Sequence, residues 1–153
     1  MKITDIFRKE YIIEELKSKT KQEVLAELSG VFLRGNLQFD HDAMVGSLLE
    51  REKLGSTGIG EGIAIPHGKA ADITDLIVSF GRSKKGVEFD AMDGRPVHLF
   101  FLLMAPEDAA GQHLKVLAKL SRMLKNNGFR KNLMESKSAE ELLSVIAERD
   151  DAC

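Results

Sequence analysis

Apolar residues recur along this chain at two different periods, and the switch between them separates helical ends from a strand-rich middle. Val24, Leu25, Leu28, Val31 and Phe32 keep helical spacing behind Thr20-Lys21-Gln22-Glu23, which has the form of a capping box, and Gly35 closes the segment. Asp40 is placed to cap a second helix, whose stripe of Ala43, Met44, Leu48 and Leu49 ends at Gly55. That helix delivers Arg51 and Glu52 to the edge of a glycine-rich stretch. Short runs of branched residues follow at 63–65, 76–80 and 97–104, the last apolar at nearly every position, as a strand covered on both faces requires. Residues 86–90 and 11–13 read as short edge strands. A polar loop over 106–111 leads into a helix in which His113, Val116, Leu117, Leu120 and Leu124 share one face as far as Asn127-Gly128. A second capping box, Ser138 to Glu141, opens a terminal helix carrying Leu142, Leu143, Val145 and Ile146.

This order predicts an α/β fold, a three-layer sandwich in which a mixed, mostly parallel sheet of about five strands is flanked by helices. The 153 residues suffice for one core, and without a repeat or linker they read as a single domain over 1–153. Charged residues at 30% and hydrophobic ones at 43% give the balance of a folded soluble protein rather than a disordered one. Lysine plus arginine number 22 against 24 acidic residues, so a net charge of −2 supplies no general pull toward nucleic acid or a membrane surface. The opening MKITDIFRKEY lacks the apolar core of a signal peptide, and no later run is long enough to span a bilayer, which makes the cytoplasm the expected compartment. Cys153, the one cysteine, can form no internal disulfide and is read as inert.

The chemistry concentrates between Arg51 and Lys69. This stretch holds five of the 13 glycines and ends on a histidine between Pro66 and Gly68. Proline fixes its own φ and pushes Ile65 toward an extended conformation, so backbone geometry places the His67 ring, and Gly68 leaves one flank open. Near its ordinary pKa of about 6.5, imidazole is largely neutral at pH 7, which leaves nucleophile, general base and metal ligand as roles for His67. Ser56, Thr57, Gly58, Gly60 and Gly62 supply amides and hydroxyls from which anion-binding concavities are made, with Ser56, Thr57, Gly58 and Gly68 as the candidate phosphate contacts. The stretch is not a Walker loop, because Ala70 follows Gly68-Lys69 where serine or threonine is needed, and Ile63 occupies the third glycine position of a dinucleotide fingerprint. Arg51 is either a solvated helix-end charge or a planar fork for two phosphoryl oxygens. His113, near a helix start, is either a buried polar residue or a second site histidine. His98 reads as a hydrogen-bonded core residue and His41 as exposed. The four histidines lack metal-site spacing, which argues against zinc.

With these residues in view, the chain resembles the enzyme IIA domains of the mannitol and fructose class of the phosphoenolpyruvate-dependent sugar phosphotransferase system. The residues carrying the resemblance are Glu52, Ile59-Gly60 and Ile63-Ala64-Ile65-Pro66-His67-Gly68, and the likeness spans essentially the whole chain. The wording from Arg51 to Gly60, followed by GIAIPHGK, is most similar to the stand-alone nitrogen-regulatory branch. The resemblance implies a phosphocarrier that accepts a phosphoryl group on His67, with Arg51 and His113 as its site partners and no cofactor or metal. It also implies a histidine-containing phosphocarrier protein as donor, and regulatory targets or a separate IIB component downstream. A sugar-uptake role and a non-covalent anion-binding module stand as the alternatives.

Overall fold

The computed structural model describes residues 1–153. Six strands form one sheet: β1 (Phe7–Ile13), β2 (Gly58–Gly60), β3 (Ile63–Ala64), β4 (His67–Ala70), β5 (Ile77–Val87) and β6 (Val97–Pro106). Five helices flank it: α1 (Lys21–Gly30), α2 (His41–Lys53), α3 (Ala110–Leu124), α4 (Asn127–Glu135) and α5 (Ala139–Ala152). The strand order is β1, β5, β6, β3, β2, with β4 also paired to β6. β1 runs parallel to β5, and β3 and β4 run parallel to β6. The long β5–β6 ladder and the β2–β3 hairpin are antiparallel. The sheet is thus mixed, as the sequence predicts, and the helices lie on both of its faces.

The two faces can be read from β5. The Ser79 hydroxyl donates to the Leu28 carbonyl of α1, and a Cβ on Gly81 would sit 2.8 Å from a Leu28 methyl, so these alternate residues face α1. Arg82 points the other way, onto the carbonyls of Leu133 and Ser136 at the end of α4. One cluster of 41 buried hydrophobic side chains fills both interlayer spaces, with Phe100 to Met104 of β6 fully shielded at its centre.

Local signals explain most of the elements. Thr20 caps α1 by accepting from the Glu23 amide while the Glu23 carboxylate accepts from Thr20, and Asp40 and Ser138 cap α2 and α5 on the amides three residues on. The expected first helix is α1 followed by a separate 3-10 turn over Val31–Gly35, which still buries Val31 and Phe32. The edge strand expected at 11–13 extends back to Phe7.

Two expectations change. The runs at 76–80 and 86–90 are joined by one interior strand, β5, which takes in Ile77 to Val87 and leaves 88–90 outside; of the polar residues between the runs Arg82 and Ser83 are buried, and Lys84 and Lys85 are exposed. Arg82 is 3% exposed and donates to three carbonyls, Glu14 at 3.0 Å, Leu133 at 2.8 Å and Ser136 at 2.6 Å. The register slips between Arg82 and Val87, where Gly86 adopts φ +85°, a bulge geometry that glycine accommodates freely. The second change is α4, a helix beyond Asn127-Gly128 that the sequence reading ends too soon. Asn126 caps it through the Phe129 amide at 2.8 Å, and Phe129 and Leu133, one turn apart, are buried.

Replacing Arg82 with methionine keeps the apolar volume but takes the donor from three carbonyls, those of the buried Leu133 and Ser136 and of Glu14. We expect a loss of about 3 kcal/mol of stability, at roughly 1 kcal/mol or more per unpartnered group. Urea denaturation checks this, and an unchanged midpoint would show that the three carbonyls find other donors.

Candidate functional site

His67 is the first residue of β4, and the break that precedes it sets its position. β3 and β4 lie end to end along β6, with Ile63 opposite Leu99 and His67 opposite Leu103. Pro66 has no N–H to give the ladder, yet its carbonyl accepts from Leu103 N at 2.9 Å, so the chain stays extended through the gap. The half-buried His67 ring is held at both nitrogens. Nδ1 lies 2.9 Å from the Ile65 carbonyl, and Nε2 lies 3.1 Å from Arg51 Nε. A guanidinium only donates, so Nε2 must be the acceptor, and the proton of the neutral ring sits on Nδ1, donated to Ile65. Burial lowers the His67 pKa from its ordinary value, the Arg51 charge adds to this, and the Ile65 hydrogen bond and the Glu52 charge partly oppose it. The ring is therefore neutral near pH 7, with its lone pair on Nε2.

Arg51 comes from the last turn of α2. Its Nη1 donates to the Gly55 carbonyl at 2.8 Å, which aims the remaining edge of the fork at His67. Gly55 makes this possible by turning at φ +140°. From the other side, α3 brings His113 in its first turn. The two imidazole centroids are 5.4 Å apart in an edge-to-face arrangement. His113 is 7% exposed, and its buried Nε2 has no hydrogen-bond partner in the protein. Burial first, and then the nearby His67 and Lys69, lower its pKa from 6.5 to about 4. A buried polar nitrogen without a protein partner, in the ring packed against His67, is a group whose hydrogen bond the protein leaves unmade.

The glycine loop is a scaffold more than a cradle. The Ser56 hydroxyl donates to the Phe89 carbonyl at 3.0 Å and accepts from Gly58 N at 3.0 Å. Thr57 is 4% exposed, and both its amide and its hydroxyl donate to the Glu52 carboxylate. Gly58 is buried in β2, where a Cβ would come within 2.9 Å of Ala91 Cβ. Gly68 lies opposite Met104 in the sheet ladder. Of the residues singled out in the sequence, the fold gathers His67, Arg51 and His113 around one point and commits the Ser56 and Thr57 hydroxyls to loop architecture.

Glu52 is the residue whose role the sequence did not reveal. Its carboxylate, 8% exposed, also takes an ion pair from Lys21 Nζ at 3.1 Å, and Lys21 in turn lies 4.9 Å from the Phe89 ring centroid. A buried carboxylate is tolerated only when so partnered, and here the partners tie α1, α2 and the loop together behind Arg51. Its adjacency to Arg51 was the available signal. His98 is hydrogen-bonded as expected, Nδ1 to the Ser83 carbonyl at 2.9 Å, although half-buried. His41 is a correction: it is half-buried, with Nε2 3.0 Å from both Ser29 Oγ and the Ala26 carbonyl, where it fastens α2 to α1.

The profile of the family described as the phosphoenolpyruvate-dependent sugar phosphotransferase system, EIIA 2, matches residues 5–149. The chain belongs to this EIIA type 2 family. It is 41% identical to a nitrogen regulatory protein of Bradyrhizobium diazoefficiens over 147 residues, covering 96% of this chain and 95% of that one. It is 40% identical over 150 residues to the fructose-specific EIIABC component of Bacillus subtilis, covering 98% of this chain but only 24% of that larger protein. Among solved structures it resembles the nitrogen regulatory protein IIA-Ntr of Neisseria meningitidis, with TM-score 0.87 and 38% identity over 94% of this chain and 98% of that one. It also resembles enzyme IIA mannitol in its complex with phosphorylated enzyme IIB mannitol from Escherichia coli, with TM-score 0.77 and 26% identity over 93% and 99% of the chains. In this EIIA type 2 chain no three His, Cys, Asp or Glu side chains converge as a metal site requires, and no helix is long and apolar enough to cross a membrane.

The depressed His113 pKa links this EIIA site to acid stability. The unfolded ring binds a proton below about pH 6.5, whereas the folded ring stays neutral down to about pH 4, so its contribution is full above pH 6.5 and is lost as pH falls toward 4. Linkage sets its size at no more than about 3 kcal/mol. A His113→Phe variant should therefore lose less stability than the parent between pH 7 and pH 4.5, measured by urea midpoints. Equal losses would place the acid sensitivity elsewhere.

Proposed function

We propose that this protein is a phosphocarrier whose His67 Nε2 accepts a phosphoryl group from the phosphohistidine of a small histidine-containing phosphocarrier protein, and that its phosphorylation state serves regulation. The observation that carries this reading is the pair of contacts on the imidazole. With Nδ1–H held by Ile65 and Nε2 unprotonated, the only nitrogen with a lone pair is the one facing Arg51. In line attack by Nε2 forms the new N–P bond as the donor's N–P bond breaks, and the donor imidazole leaves with that electron pair. The Nδ1 proton stays in place, where the Ile65 carbonyl stabilises the charge the ring gains. Phosphoryl transfer through a loose transition state asks for alignment and charge neutralisation. Arg51 supplies the second by releasing Nε2 and turning its N–H groups onto phosphoryl oxygens, and His113 Nε2, once protonated at that atom, donates a further hydrogen bond.

The regulatory role is supported by several nitrogen regulatory proteins that match this chain over more than nine tenths of their own length; a fructose-specific EIIA component of Haloferax volcanii, 36% identical over 98% of its length, keeps sugar uptake as the second reading. Phosphorylation adds close to two negative charges beside Arg51 and so changes which partners dock there. The sugar-uptake reading would add passage of the group to a IIB component, as the enzyme IIA mannitol complex suggests for its own family member.

Mixing the protein with phosphoenolpyruvate and the upstream phosphotransferase enzymes should add the mass of one phosphoryl group, and His67→Ala should abolish the gain. A variant that is still labelled would overturn the assignment, and an unlabelled parent that still binds inorganic phosphate would select a non-covalent module. Arg51→Lys keeps the charge but not the fork, and should slow acceptance roughly 10- to 100-fold, equivalent to about 1.4–2.8 kcal/mol of barrier. Rapid transfer from the phosphorylated protein to a purified fructose-type IIB would favour sugar uptake over regulation.

A further inference from the structure

One charged side chain at this site has no assigned work. β4 alternates along His67, Gly68, Lys69 and Ala70, and the orientation of the strand is fixed by Gly68. A Cβ built there would lie 3.1 Å from Ser47 Oγ and 3.5 Å from a Leu48 methyl, so position 68 faces α2. His67 and Lys69 therefore share the opposite face, the side on which α3 sets His113 against the His67 ring. Residues two apart on a strand are about 6.6 Å apart, a distance an extended lysine side chain spans. The backbone of Lys69 is fastened at both sides: it pairs with Ala105 of β6, and its carbonyl accepts from Ser47 Oγ at 3.0 Å. Its side chain, by contrast, is exposed, and no carboxylate lies within 4.0 Å of its ammonium. The Lys21 ammonium, on the other side of the loop, is taken up by Glu52 and Asp90.

An unpaired cation anchored on rigid backbone, one pleat from the nucleophile, is suited to a ligand that arrives with negative charge. Arg51 keeps one N–H on Gly55 and gives up the one on His67 when the phosphoryl group arrives, but its single positive charge neutralises only half of a dianion. We infer that Lys69 is the second cation of the site, its ammonium pairing with a peripheral oxygen of the phosphoryl group on His67. No proton or covalent bond changes at Lys69; the ion pair forms as the group arrives and is lost as it leaves. The groups facing that phosphoryl are then Arg51, Lys69 and His113, with the Glu52 carboxylate behind Arg51. The ammonium also adds to the forces keeping His113 uncharged.

This inference rests on phosphorylation of His67, and the test separates the two. The protein is phosphorylated with phosphoenolpyruvate and the upstream enzymes, those enzymes are removed, and the phosphohistidine signal is titrated by phosphorus NMR in the parent, Lys69→Gln and Lys69→Arg. A cation beside the group favours its dianion, so Lys69→Gln should raise the phosphoryl pKa by about half a unit or more while Lys69→Arg leaves it near the parent value. Acceptance from the donor at low ionic strength should slow about tenfold in Lys69→Gln and stay within about twofold in Lys69→Arg. A phosphohistidine signal whose titration is the same in parent and Lys69→Gln overturns the role of Lys69 alone, as does an equal change in both variants. Absence of any phosphohistidine in the parent overturns the carrier reading and this inference with it.

Discussion

The site depends on a tug across one imidazole. The Ile65 carbonyl fixes the proton on Nδ1, and the Arg51 guanidinium, which can only donate, requires a lone pair on Nε2. Each contact selects the same tautomer, and the two together also stop the ring from swinging, so they define which atom carries the lone pair and where it points. Partial burial keeps the ring uncharged, so the lone pair persists near neutral pH.

Much of the surrounding architecture serves to hold those two partners still. Ile65 lies in the gap between β3 and β4, kept extended by Pro66 and by the Leu103 amide that bonds across it. Arg51 is held by the end of α2, whose neighbour Glu52 is bound by Thr57 and Lys21. Lys21 begins α1, so the first helix reaches the site through a buried carboxylate. The Ser56 bond to Phe89 and the Met92 amide on the Gly58 carbonyl fasten the same loop to the segment after β5. Such a framework suits a reaction that needs placement rather than a strong acid or base.

The fold class and most elements were legible because their signals are local. Thr20, Asp40 and Ser138 each cap a helix on amides within their own turn, and the run from Val97 to Met104 can only be a strand covered on both sides. The continuous β5 was not legible, since Arg82 looks like a strand end until the carbonyls of Glu14, Leu133 and Ser136 are brought to it from distant parts of the chain. α4 was hidden because Phe129 and Leu133 give too few periodic positions in nine residues to stand out from a loop.

By itself the sequence determined which residues to look for: a histidine after a proline, an arginine at a helix end and a second histidine at a helix start are readable from spacing, and the fold brings the three together. It could not determine what each polar group would face. Ser56 and Thr57 look like phosphate donors on paper, yet their hydroxyls are claimed by Phe89 and Glu52, while His113 Nε2 is buried without a partner. The reason is that a hydroxyl bonds whichever acceptor the fold brings nearest, and strand register and helix packing, which are long-range, decide that choice.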